Sequence, residues 1–265
     1  MRIDLHNHTT LCKHASGSME EYIQQAIKLD IDIFGFSCHA PMEFDKEYRM
    51  SLAQSKIYQK DILHLQKQYK NQIKILSGYE VDFMSNPNFI EQEILNADVD
   101  YLIGSVHFLT HQNSLWGFDN PEFIKTYETS NINNIWEDYF EAIKQMAKTQ
   151  YFNIVGHLDL IKVFKYLPTK DIKLMAYEAL KQIKQSNMVI EINSAGLRKP
   201  INEPYPSKAL LELAFELNIP ITFGSDAHKI EQIGFGYNQA ISLAKSIGYT
   251  KCISFEKKEK IIHNF

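Results

Sequence analysis

Asp4-Leu5-His6-Asn7-His8-Thr9 follows a short apolar start and sets two imidazoles at i, i+2. Side chains alternate faces along an extended chain, so His6 and His8 point to one side. Two imidazoles converging on one point make half of a transition-metal site. Taken alone, the pair fits a surface loop equally well. Further candidate ligands decide the matter. His14 lies in the loop just beyond, and His39 stands in Phe36-Ser37-Cys38-His39-Ala40. Glu80 follows in Gly78-Tyr79-Glu80-Val81-Asp82, and His107 in Gly104-Ser105-Val106-His107-Phe108. His157 stands in Gly156-His157-Leu158-Asp159, and Asp226 with His228 in Gly224-Ser225-Asp226-Ala227-His228. All are imidazoles or carboxylates, donors that suit zinc, iron or manganese. Of the remaining histidines, His64 falls in mid-helix and His263 in the C-terminal tail. Both read as structural or exposed. His111, four residues past His107, is ambiguous.

These residues need elements to hold them. Short apolar runs occur at Arg2–Leu5, Ile31–Ser37, Ile73–Ser77, Tyr101–Ser105, Phe152–Val155, Met188–Ile192 and Ile219–Phe223. Such runs read as strands buried on both faces, as in a parallel sheet. Amphipathic stretches lie between them. Ser18-Met19-Glu20-Glu21 is a capping box that opens one helix. Further helices are expected across Ser51–Tyr69, Phe89–Asn96, Thr129–Thr149, Asp171–Ser186, Ser207–Leu217 and Tyr237–Ile247. The alternation implies parallel βα units, about seven of them, with a possible last strand at Cys252–Phe255. No linker divides the chain, so a single domain is expected. No solenoid repeat, dinucleotide fingerprint or P-loop is present. Each candidate ligand falls at or just past a strand's C-terminal end. In a parallel barrel those ends share the face that carries active sites.

Composition narrows the class. The 265 residues are 45% hydrophobic and 23% charged, with net charge −4. That balance supports a globular core and gives no strong field for nucleic acid. No apolar run reaches the ~18 residues of a membrane span. No signal peptide is visible, and three cysteines are too few and odd for a disulfide framework, so a cytoplasmic location is expected. Arginine occurs only at positions 2, 49 and 198. Arginine's planar fork suits bidentate phosphate recognition, so Arg198, just beyond the sixth strand, is the best candidate clamp should the ligand prove to be a phosphate. Lys162 is a second cation, five residues past His157. Arg2 and Arg49 fit ordinary surface positions equally well.

The ordered set His-x-His, Cys-His-Ala, Gly-Tyr-Glu, Ser-Val-His, Gly-His-Leu-Asp and Ser-Asp-Ala-His resembles the PHP (polymerase and histidinol phosphatase) superfamily. The resemblance runs from Asp4 to His228. Its local wording is most similar to the monofunctional histidinol-phosphatase type: Gly-Tyr-Glu-Val-Asp-Phe, Gly-Ser-Val-His-Phe with Trp116-Gly117-Phe118-Asp119, and Glu191-Ile192-Asn193-Ser194-Ala195-Gly196-Leu197-Arg198. It implies an α/β fold, a distorted (β/α)7 TIM-like barrel, with one metal-dependent phosphoesterase domain over residues 1–265. It implies three divalent ions. His6, His8, Glu80 and Asp226 would hold the first; Glu80, bridging, with His107 and His157 the second; His14, His39 and His228 the third. No ligand position departs from the pattern.

The activity so implied is hydrolysis of L-histidinol phosphate to L-histidinol and phosphate in histidine biosynthesis, by a metal-bridging hydroxide. Asp226 or His228 would carry the proton to the leaving group. Asp82, Trp116 and Asp119 would meet the substrate's amine and imidazole, since carboxylates pair with ammonium and aromatic faces suit cations. Another small phosphate ester, such as phosphotyrosine or a nucleotide, is the alternative substrate. A non-catalytic metal-binding domain is the alternative class. The expected partner is a small-molecule phosphate ester, with no nucleic acid and no membrane. Oligomeric state and metal identity stay open.

Overall fold

Residues 1–84 and 90–265 are described by a computed structural model. Seven parallel strands form the centre: β1 (Ile3–Asp4), β2 (Ile33–Phe36), β3 (Lys74–Asp82), β4 (Tyr101–Ser105), β7 (Ile154–Val155), β8 (Val189–Asn193) and β9 (Ile221–Gly224). They pair in that order. The ring then closes between β9 and β1. Leu5 N–H donates to Phe223 O at 2.9 Å, Asp226 N–H to His6 O at 2.7 Å and His8 N–H to Ala227 O at 2.9 Å. Ile, Val and Phe dominate these strands because both faces are covered, by helices outside and by side chains within. The seven expected strands and the TIM-like barrel are therefore present.

The helices are α1 (Met19–Lys28), α2 (Leu52–Gln68), α3 (Gln92–Leu95), α4 (Lys125–Glu128), α5 (Ile132–Lys148), α6 (Ile172–Gln185), α7 (Lys208–Glu216) and α8 (Tyr237–Ile247). Ser18 and Glu21 form the anticipated capping box on α1, and Ser51 with Gln54 forms another on α2. The amphipathic α5 buries Ile135, Trp136, Tyr139, Phe140, Ile143 and Met146 on one face. Its start lies at Ile132, not Thr129, because Asn131 accepts from Asn134 N–H as N-cap. The helix expected from Phe89 to Asn96 is only the single turn α3; Phe89 lies outside the described residues.

Two antiparallel hairpins were not anticipated as such. One joins β5 (Phe108–His111) to β6 (Ser114–Gly117), where a loop was expected. The other joins β10 (Lys251–Glu256) to β11 (Glu259–Asn264). Both turns have two central residues at positive φ: Gln112 and Asn113 at 47° and 63°, Lys257 and Lys258 at 49° and 69°. That is the geometry of a type I′ turn, which usually advertises itself with Asn-Gly or Asp-Gly. Neither dipeptide occurs here.

The C-terminal hairpin stoppers one end of the barrel. Lys258 N–H donates to Asp100 O just before β4, Asn153 before β7 donates to Lys258 O, and Lys74 at the start of β3 pairs with Glu256. Phe255 is fully buried and its ring lies 6.0 Å from Tyr101. Burying a phenylalanine side chain contributes about 2 kcal/mol. The opposite, C-terminal ends of the strands are left open. Among the described residues no helix is long and apolar enough to cross a membrane.

Candidate metal centre

Glu80 is the hub. It lies in β3, 1% exposed, and its two carboxylate oxygens face different histidines. Oε2 lies 3.4 Å from His6 Nε2, 3.5 Å from His8 Nε2 and 2.9 Å from His39 Nδ1. Oε1 lies 3.0 Å from His157 Nε2 and 3.6 Å from His107 Nε2. Asp226 approaches from beyond β9, with Oδ1 3.1 Å from His8 Nε2 and 3.8 Å from His6 Nε2. Asp226 has φ 53°, a left-handed conformation that aspartate tolerates. Its N–H to His6 O and the Arg198 guanidinium on its carbonyl (3.0 Å) hold that turn.

Supporting residues fix the rings. Glu191 in β8 accepts from His6 Nδ1 at 2.8 Å, and its other oxygen accepts from His157 N–H and Asn193 Nδ2, each at 3.0 Å. A Cβ at Gly224 would fall 2.0 Å from Glu191 Oε1, the oxygen that meets His6, and 2.6 Å from His6 Cβ, so only glycine admits the contact. Asp82 hydrogen-bonds His107 Nδ1 and is itself paired with buried Arg49. Ligating histidines usually present their outer nitrogen to a carboxylate in this way. Glu191 escaped the sequence reading because it stands inside an apolar run. A carboxylate in a strand buried on both faces was the available signal.

The charges favour cations. Burial opposes ionised Glu80, but His39, His6 and His107 outweigh it and hold the carboxyl well below its usual range. Asp226 is lowered likewise against burial by His6 and His8. Burial also opposes protonated His6, His8 and His107. The carboxylates overcome it, lifting His6 well above its ordinary value, His8 to about 9 and His107 to about 10. The rim behaves oppositely. Burial and neighbouring His8 push His14 and His228 down, and burial takes His39 down to about 3. Asp226 and His228 are thus both held toward their proton-free forms, as ligands of a cation must be.

The donors fit divalent ions. His6 Nε2, His8 Nε2 and His39 Nδ1 are buried and make no hydrogen bond, although carboxylate oxygens lie close by. Donors that crowd together without sharing a proton are arranged for a shared ion. Two compact trios form around Glu80, His6–His8–Glu80 and Glu80–His107–His157. At the rim the grouping differs from the expected trio. His228 stands with His8 and His39 on one side and with Cys12 and His14 on the other. His14 and His39 rings are 5.4 Å apart, and His14 Nδ1 is taken by Cys12 O at 2.7 Å.

A cavity of about 650 Å³ opens over the centre, lined among others by His14, Arg49, Asp119, Arg198, Asp226 and His228. Arg198 Nη2 donates to Ser225 O and Asp226 O, while Nη1 is buried without a partner. Arg49, left open between surface and site, is 3% exposed and keeps Nε and Nη1 unpartnered on the cavity wall. Three expected substrate contacts lie elsewhere. Lys162 is buried and engaged by Asp159 at 3.1 Å and Glu203 at 2.7 Å. Asp82 is occupied by Arg49 and His107. Trp116 is 5% exposed and packs edge-on against Tyr127. Of the histidines set aside, His64 is exposed on α2, His263 accepts or donates to Ser254 at 2.7 Å, and His111 contacts Ser130 at 3.2 Å, outside the cavity. A second cavity, about 420 Å³, lies beside the N-terminal ends of β2 and β3 among Asp30, Asp32, Lys70 and Lys74. It has no imidazole.

The PHP domain model matches residues 4–195, and a PHP-associated model matches residues 209–245. A protein of Deinococcus radiodurans described as "Probable histidinol-phosphatase" is 36% identical over 92% of this chain and 93% of its own length. The histidinol-phosphatase of Bacillus subtilis is 30% identical, over 88% of this chain and 96% of that protein. A crystal structure of the Lactococcus lactis histidinol phosphate phosphatase, complexed with zinc, L-histidinol and phosphate, superposes with TM-score 0.78 at 22% identity, covering 98% of each chain.

Proposed function

The chain belongs to the PHP domain family, and on that footing we propose that it hydrolyses L-histidinol phosphate to L-histidinol and phosphate, a step of histidine biosynthesis carried out in the cytoplasm. One observation carries the proposal: the imidazoles of His6, His8, His39, His107 and His157 all reach within 3.6 Å of Glu80, with Asp226 beside His8, beneath a cavity large enough for a small phosphate ester.

His6, His8, Glu80 and Asp226 would hold one divalent ion, and Glu80, His107 and His157 a second. His39 and His228, with His14 at the rim, would hold a third. When bound, such ions neutralise phosphoryl oxygens and acidify water at neutral pH. Zinc, iron and manganese all suit the donors. The protein's own groups do the rest. Glu191 and Asp82 keep the His6 and His107 rings aimed at Glu80. The free Nη1 of Arg198, anchored beside Asp226, would donate to a phosphoryl oxygen; Arg49 offers a second guanidinium from the facing loop. Asp119 on the cavity wall would take the substrate's ammonium.

Purified protein loaded with zinc or manganese should release phosphate from histidinol phosphate in preference to phosphotyrosine and nucleoside monophosphates. No release from histidinol phosphate refutes the substrate, and no release from any ester refutes the chemistry.

A further inference from the structure

Four imidazoles of the centre have one ring nitrogen fixed by an acceptor. His6 Nδ1 meets Glu191 at 2.8 Å, His107 Nδ1 meets Asp82, His14 Nδ1 meets Cys12 O at 2.7 Å and His228 Nδ1 meets Asp226 O at 3.2 Å. His8 differs. Its Nε2 faces Asp226 and Glu80, while Nδ1 is fully buried and makes no hydrogen bond. His157 Nδ1 is equally bare. Only beside His8, however, do two sulfurs gather: a His8 ring nitrogen, Cys12 Sγ and Cys38 Sγ lie within 4.8 Å of one another, all buried. Neither cysteine has any part in the chemistry set out above, and both are free thiols.

Of the two, Cys38 is built into the support of His8. Its sulfur accepts from the N–H of Thr9 at 3.4 Å and from the Thr9 hydroxyl at 3.3 Å, and Thr9 is the residue next to His8. Its own N–H donates to Tyr58 Oη, which in turn donates to Gly78 O at 2.9 Å, two residues before Glu80. Cys38 also directly precedes His39. The Cys38 side chain thus ties the loop after β2 to the loop after β1, while its backbone N–H reaches, through Tyr58, the strand that carries the hub.

We propose that Cys38 is a positioning residue of the metal centre, its sulfur taking the hydrogen bond of His8 Nδ1–H in the part that Glu191 plays for His6 and Asp82 for His107. This rests on the reading of the centre as a metal site. Sulfur is a weak acceptor, so His8 is held less firmly than His6. The ion that His8 shares with His6, Glu80 and Asp226 feels the difference, and the ion on His107 and His157 does not.

Zinc binding to the full chain, measured by competition with a chromophoric chelator, tests this. Cys38→Ala should weaken one class of zinc about tenfold, the low end for loss of an outer partner, and leave another class unchanged. Cys38→Ser should recover part of the loss. Cys252→Ala, the third buried thiol, in β10, should change nothing. In zinc-loaded protein, the ¹⁵N resonance of His8 Nδ1 should shift in Cys38→Ser, where oxygen replaces sulfur. Should Cys38→Ala fail to fold, the Cys38→Ser titration and resonance decide. Wild-type affinity in both Cys38 variants, a uniform loss across all classes, or an unmoved His8 Nδ1 signal overturns the proposal alone. A wild-type protein that binds no zinc overturns it together with the metal-centre reading.

Discussion

His6, His8, His107 and His157 around Glu80, and His14, His39 and His228 toward the rim, are the same side chain in two settings. The inner four are buried or nearly so and face ionised carboxylates, which lift His6, His8 and His107 above the ordinary imidazole range. The outer three stand close to one another and to His8, and burial takes them below it even though His39 also touches Glu80. His14 is exposed, and His228 partly so. The inner donors thus surround carboxylates whose charge their own protons balance until an ion displaces them. The outer donors are held toward the neutral form, and His14 and His228 meet solvent. Ions held inside should be resident, and an ion at the rim exchangeable.

The largest effect should follow from removing the hub. Glu80→Gln should abolish phosphate release and strip the inner ions, with the far-ultraviolet circular dichroism of the barrel retained; retained activity would erase the distinction between the regions. Glu191→Gln should come next, weakening inner-ion affinity about 10- to 100-fold through the His6 ring it orients, as read by metal competition. His14→Ala should cost less than His157→Ala in both turnover and metal content, and a chelator should remove the rim ion first; the reverse order would invert the comparison.

Acidity separates the regions by sign. His6, His8 and His107 hold protons at neutral pH when no ion is bound, and an entering ion must displace them. Inner affinity should therefore rise with pH until His8 and His107 lose their protons near about 9 and about 10. The lowered His14, His39 and His228 are already neutral, so rim affinity should be flat between pH 7 and 9. Calorimetry in buffers of different ionisation enthalpy counts the released protons. The smallest catalytic effect belongs to Lys162→Met. It should leave KM unchanged yet lower stability by about 3 kcal/mol, because Asp159 stays buried without its cation.

Strand and helix alternation is local, and so the barrel could be read from apolar runs and caps such as Ser18-Glu21. The candidate ligands could be read too, because residues at successive strand ends of a parallel barrel must share one face. Lys162 could not. Its partner Glu203 lies forty-one positions away, and nothing nearby in the sequence shows that its charge is already engaged. Arg49 stayed open for the same reason, since Asp82 claims it only once the loop after β2 folds over β3.

Residue types and their order by themselves determined a seven-stranded βα barrel and a set of imidazoles and carboxylates on its open face. Tertiary structure alone decided which nitrogen each ring offers, which carboxylate serves as hub and which as support, and which end the C-terminal hairpin closes. Those are matters of a few ångströms between residues distant in the chain, as Gly224 shows by leaving room for Glu191 to reach His6. Local propensity has no reach over such distances; packing and charge do.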